Sequence, residues 1–211
     1  GRVLRAAVKA PVVVFLTQPY DGAVWERAMI RALPPDGILA QSEAVLAPFR
    51  RWRLPAAFIP SGVDLERFCL LSPGDRETER GRLGLSPGDR LVLHVGHLNM
   101  RRLDPERVLH VARAPDIRLM IVGSTDTPQD DDLVRTLQEA GVTVIRDFMP
   151  RIDRLYGAAD VYLFPTREPR SSIGVPLSVL EALACGIPVV STRFEGLPLL
   201  FPATPFVRYF S

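Results

Sequence analysis

Between Ser171 and Thr192 one side chain carries a formal charge, Glu181. It sits in an apolar run, VPLSVLEALACGIPVV, where a buried carboxylate loses hydration and needs hydrogen-bond donors in return. Those donors can come from the protein or from a bound molecule, and the isolation of Glu181 points to a bound molecule. Just upstream, the loop Thr166 to Val175 leads into Pro176, which suits the first turn of a helix, and Gly186 suits the residue just past its end. A helix N-terminus offers free N–H groups and the positive end of the helix dipole, which favour an anion such as phosphate. The chemistry on offer is recognition of a polar ligand by one carboxylate and of an anion by backbone N–H groups.

The elements around this helix, read as Pro176 to Cys185, must place it. Asp160 to Phe164 before it and Ile187 to Ser191 after it are apolar, β-branched runs too short for helices, so they predict buried strands. Strand, loop, helix and strand make a right-handed crossover in a parallel sheet, and ligands in such sheets bind beyond the carboxyl ends of the strands. The same alternation holds back to Leu91. Leu91 to Val95, Ile117 to Val122 and Val142 to Arg146 read as strands, and Pro105 to Arg113, Asp130 to Ala140 and Ile152 to Ala158 as helices. This predicts a doubly wound α/β domain over residues 91–211. Residues 1–60 alternate as well, with strands at Pro11 to Leu16, Gly37 to Ala40 and Ala56 to Ile59. Helices are expected from Asp21 to Leu33 and from Glu43 to Arg50, the second capped by Ser42. Residues 61–90 read as a linker holding two SPGD turns, Ser72 to Asp75 and Ser86 to Asp89, and one short charged helix, Arg76 to Leu83.

Composition sets the outer bounds. The chain has 211 residues, 47% hydrophobic, enough for a real core. Its net charge of +2 hides an asymmetry, because residues 1–53 hold eight Arg or Lys against four Asp or Glu. That excess makes either a solvated basic face or a peripheral contact with acidic lipid headgroups, and nothing in it points to nucleic acid. Cys69 and Cys185 lack metal-ligand spacing, which predicts free thiols in a reducing, cytoplasmic compartment. No apolar run reaches the length of a membrane span. A start at Gly1 and an end at FVRYFS give the expectation of a piece of a longer protein, truncated at its C-terminal end. Three consecutive carboxylates, Asp130 to Asp132, diverge in direction and complement the start of a helix better than they would hold a metal.

Four ordered segments carry a resemblance. Ile59-Pro60-Ser61-Gly62-Val63-Asp64 followed by Phe68 resembles the interdomain pattern IPNGVDxxxF. Val95-Gly96-His97 with Arg101 and Arg102 resembles VGR…KG, and Ala159-Asp160-Val161 with Pro165-Thr166 resembles ADVFVxPS. Gly174 to Val190 resembles GxPLxxLEAMACGxPVV. Together with the strand and serine at Gly37 to Glu43, they resemble glycosyltransferases of the GT-B fold, specifically retaining family 4. The implied architecture is a doubly wound, parallel, Rossmann-like donor-binding domain plus the tail of a second, acceptor-side domain.

The resemblance also assigns roles. Glu181 aligns with the second glutamate of the E-x7-E motif, implying a carboxylate that holds the ribose hydroxyls of a nucleotide. The first glutamate of that motif falls at Ile173, and Glu168, five residues off in register, is the loop carboxylate that could stand in. Arg102 takes the position of the family lysine and His97 that of the arginine, with Gly96 before them. Both would serve the diphosphate leaving group, with Arg101 as the alternative to Arg102. Ser171, Ser172, Gly174 and Val175 could present hydroxyls and N–H groups to the phosphates, or form an ordinary turn. The implied reaction is hexosyl transfer from a nucleoside diphosphate sugar to a hydroxyl acceptor, carbohydrate or lipid-linked, without cofactor or metal and with little activity expected of this piece alone. The alternative is a non-catalytic nucleotide-sugar-binding or scaffold module of the same fold.

Overall fold

The computed structural model describes residues 10–16, 24–41, 43–167, 175–194 and 197–210. Ser42, expected to cap a helix, and Glu168, Ser171, Ser172, Ile173 and Gly174 lie outside them.

The first layer is a parallel three-stranded sheet in the order β1-β2-β3, formed by β1 (Val13–Leu16), β2 (Gly37–Ala40) and β3 (Ala56–Phe58). Helix α1 (Val24–Ala32) connects β1 to β2, and α2 (Glu43–Arg51) connects β2 to β3. Val45, Leu46 and Phe49 of α2 bury against Ile38 and Ala40 of β2, the i, i+1, i+4 set of one amphipathic face.

The second sheet holds six parallel strands in the order β6-β5-β4-β7-β8-β9. These are β4 (Arg90–Gly96), β5 (Ile117–Gly123), β6 (Thr143–Ile145), β7 (Val161–Phe164), β8 (Val189–Thr192) and β9 (Val207–Phe210). Strands of an α/β sheet are buried on both faces, and the period of two divides their side chains between two cores. On β4, Leu91 and Leu93 enter one core with Tyr156, Tyr162 and Val179, while Val92 enters the other with Val108, Ile121 and Leu137. The first core lies under α6 (Ile152–Ala158) and α7 (Leu177–Ala184), and the second under α4 (Pro105–Ala112) and α5 (Asp131–Glu139). Because β4 pairs with both β5 and β7, the chain winds away from it in both directions, and the two halves diverge at the carboxyl ends of those strands.

Three features differ from the sequence expectation. The short charged helix α3 runs Pro73–Arg82, three residues earlier than expected. Ser72 of the first SPGD is its N-cap, accepting from the Asp75 N–H, and Pro73 occupies the first turn. The second SPGD remains a turn, with the Asp89 carboxylate accepting from the Ser86 N–H at 2.8 Å. Helix α7 begins after Pro176, which is the N-cap and not the first helical residue. At its other end Gly186 has φ 74°, and the Ile187 and Gly186 N–H groups bond Ala182 O and Leu183 O, the paired bonds of a Schellman ending. The chain also adds a helical turn, α8 (Leu197–Leu200), and β9, which pairs with β8.

Helix α3 packs on α6, and one carboxylate fastens it to the six-stranded sheet. Asp160, at the entrance of β7, accepts from Arg76 (2.6 Å) and Arg80 (2.8 Å) of α3 and from the Leu91 N–H of β4 (2.7 Å).

Candidate functional site

Glycines close two neighbouring strands, Gly96 on β4 and Gly123 on β5, and the Ser124 N–H bonds Gly96 O at 2.7 Å. A Cβ on Gly96 would stand 3.0 Å from Nε2 of His94, and one on Gly123 would stand 2.5 Å from Cδ1 of Leu98. The backbone there lies flush against side chains and leaves room on its outer side. Beyond these ends opens a cleft of about 330 Å³ whose lining includes Gly96, Gly123, Asp126, Asp147, Phe148 and Glu181. Gly96 and Glu181, singled out from distant motifs, line it together.

Glu181 stands on α7 and is half-buried. Its Oε2 accepts from the Tyr156 hydroxyl at 2.8 Å, so a protein donor serves one oxygen where the sequence pointed to a ligand. Burial raises the Glu181 pKa above the ordinary carboxylate value, while the Tyr156 hydrogen bond and the charge of Arg67 oppose the rise.

The loop after β4 carries the cations. Its turn is set by Asn99, whose side-chain and main-chain oxygens both accept from the Arg102 N–H at 3.1 Å. The next residues are stitched to the loop after β7: Arg102 O accepts from the Arg167 N–H, Leu103 bridges Thr166, and the Asp104 N–H bonds Pro165 O. Arg102 is thereby held at the divergence of β4 and β7. Burial, then the like charge of Arg101, lowers its pKa, so an anion placed there would relieve both costs. His97 bonds Thr127 Oγ1 through Nδ1 at 2.7 Å. Burial and then Arg102 lower the His97 pKa against the pull of Asp126, so the ring is neutral at pH 7 and serves as a hydrogen-bonding group. His97, Arg101 and Arg102 stand on the loop beside the cleft and are not part of its lining. Val175 is buried at the entrance of α7, and its carbonyl lies 3.5 Å from Ser61 Oγ of the segment that follows β3.

Other conspicuous residues serve the fold. His94 is buried, and its Nδ1 lies 2.9 Å from Leu163 O. Asp130 caps α5, accepting from the Asp132 and Leu133 N–H groups. Among the described residues no three His, Cys, Asp or Glu side chains gather in a metal-holding group. No helix among them is long and apolar enough to cross a membrane. The site residues that the sequence missed are Tyr156 and the rim of Asp126, Asp147 and Phe148. Tyr156 lies 25 residues before Glu181 and reaches it only by helix packing.

Comparison with known proteins bears on the family and the fold. Residues 90–202, more than half of the chain, match the family described as glycosyl transferases group 1. D-inositol 3-phosphate glycosyltransferase from Mycobacterium sp. (strain KMS) is 35% identical over 146 residues, 65% of this chain and 32% of that protein. The Mycobacterium tuberculosis (strain F11) protein of the same name is 35% identical over 147 residues, 65% of this chain and 29% of the relative. The matched part thus spans about a third of the length of these relatives. Among solved structures, Anabaena HepE in complex with UDP superposes with TM-score 0.81 at 18% identity, covering 99% of this chain and 60% of that one. Sucrose-phosphate synthase from Thermosynechococcus elongatus superposes with TM-score 0.67 at 25% identity, covering 88% of this chain and 48% of that one. The α/β layers and parallel sheets are those of GT-B glycosyltransferase structures.

Proposed function

Because this chain belongs to the glycosyl transferases group 1 family, we propose that its strand-end crevice binds the nucleoside diphosphate of a sugar donor. The whole protein then transfers the hexosyl group to a hydroxyl acceptor, a carbohydrate or a lipid-linked sugar. The observation that carries this reading is that Glu181 and Gly96 line one cleft, beside a loop that holds Arg102, Arg101 and His97.

The roles follow from the chemistry. A vicinal diol donates to a carboxylate, so Glu181 takes the ribose, and its oxygen not engaged by Tyr156 is the one available. Cleavage of the bond between the anomeric carbon and the donor phosphate oxygen leaves extra negative charge on the diphosphate. Arg102 can meet two phosphate oxygens in one plane, with Arg101 as a second cation and His97 as a neutral hydrogen-bonding group. The first N–H groups of α7, entered through Val175, add the helix dipole. These groups carry the leaving-group charge in place of a metal, and no organic cofactor takes part. By the same family reading the transfer retains anomeric configuration. The protein works in the cytoplasm, its basic first quarter forming either a solvated face or a peripheral contact with acidic headgroups at the inner face of the membrane.

The test is calorimetric titration with UDP, GDP and ADP. One nucleotide is expected to bind measurably and to bind more weakly to Glu181→Ala. A second reading, a binding module without transfer, is favoured by Ile173 at the position of the first motif glutamate. Sugar transfer by the full-length chain decides between them.

A further inference from the structure

We infer that Tyr156 is the positioning residue of the nucleotide site: its buried hydroxyl fixes Glu181 so that one carboxylate oxygen is committed to the protein and the other is presented to the ribose. The inference rests on the assignment of Glu181 to the ribose made above.

Tyr156 is fully buried on α6. Its ring is held edge-on to Phe68 at 5.8 Å and tilted against Tyr162 at 5.7 Å, so it has no freedom to follow a moving partner. Burial first, with Tyr162 and Glu181 nearby, raises its pKa far above the ordinary phenol value, so it stays an O–H donor. That donor meets Glu181 Oε2 at 2.8 Å. The Tyr162 hydroxyl beside it donates to Val95 O at 3.0 Å, in the cleft wall next to Gly96. Two tyrosines of one core therefore brace the carboxylate and the end of β4. A carboxylate already oriented spends less conformational freedom when the diol arrives, which raises affinity without a new ligand contact. The other titratable or charged groups around Glu181 are Tyr162, Arg67, whose charge it feels, Cys185 at the end of its own helix, and Asp126 and Asp147 in the cleft lining.

The experiment titrates the chain with UDP and with 2′,3′-dideoxy-UDP, across pH, for wild type, Tyr156→Phe and Glu181→Ala. Tyr156→Phe is expected to lose about tenfold in UDP affinity while affinity for the dideoxy analogue changes less than about twofold. The acid limb of UDP binding that disappears in Glu181→Ala should move to higher pH in Tyr156→Phe, because an opposing hydrogen bond is lost. Wild-type preference and pH profile in Tyr156→Phe, alongside their loss in Glu181→Ala, would overturn the positioning role and leave the ribose assignment intact. Unchanged binding in Glu181→Ala would instead overturn the ribose assignment itself. A second measurement needs no variant at Tyr156. The hydroxyl proton of Tyr156, protected by burial, should be visible by NMR and persist when UDP binds. Its loss on binding would mean that Glu181 turns away from Tyr156, contrary to the inference.

Discussion

Replacing Asp160 should unfasten helix α3 from the sheet. Its two oxygens hold Arg76, Arg80 and the Leu91 N–H at 2.6, 2.8 and 2.7 Å. Arg80 is 13% exposed and Arg76 35%, so the Arg80 pair is the less screened of the two. Both guanidinium groups keep backbone acceptors at Ala158 O and Ala159 O, which limits the loss. A charged hydrogen bond to a buried N–H contributes about 1.5 kcal/mol and a largely buried pair about 1 kcal/mol, with the exposed pair adding a few tenths. Asp160→Ala is therefore expected to cost about 3 kcal/mol. In urea unfolding with a slope near 2 kcal/mol/M, the midpoint falls by about 1.5 M. Asp160→Asn, which keeps one acceptor, should fall about half as far. Burial pushes the Asp160 carboxyl up, but the Leu91 N–H, Arg80 and Arg76 outweigh it and hold the pKa below the ordinary value. A depressed folded-state pKa contributes stability above the unfolded value and loses it as pH falls through the folded one. The gap between wild type and Asp160→Ala should accordingly close in acid. A midpoint shift under about 0.3 M, or a gap independent of pH, would refute the clamp.

Burial lowers the His94 pKa to about 4 from 6.5, so wild-type stability should decline as pH falls from about 6.5 towards 4. Unfolding followed by pH should show the decline, up to about 3 kcal/mol, and His94→Gln should flatten it. A Cβ on Gly157 would stand 2.3 Å from Leu71 Cγ, and Gly157→Ala should lower stability by about 1–3 kcal/mol in the same urea assay. At Gly96 an added Cβ meets His94 Nε2 at 3.0 Å, so Gly96→Ala should cost about 1 kcal/mol of stability and, by shifting a residue of the cleft lining, weaken nucleotide binding in calorimetry.

The main fold was legible because its signals are local. Leu91 to Val95 and Ile117 to Val122 are continuous apolar runs, and α7 is bounded by Pro176 and Gly186. The first SPGD was misread because the same tetrapeptide can cap a helix or close a turn, and packing of α3 on α6 selects the cap. Strand β9 is short and gains its place from pairing with β8. At the site, the position of Glu181 was readable from its isolation among apolar residues. Its donor was not, because Tyr156 belongs to a different helix and no spacing rule links them. The bonds that tie Arg102, Leu103 and Asp104 to Arg167, Thr166 and Pro165 of the loop after β7 were hidden for the same reason.

The central claim, a nucleotide held through Glu181, is tested most directly by calorimetric titration of UDP into wild type and Glu181→Ala at pH 7.5. Wild type should bind measurably, and Glu181→Ala should weaken that binding between about ten- and a hundredfold with the fold intact by near-ultraviolet circular dichroism. Equal affinity for the two chains would contradict it.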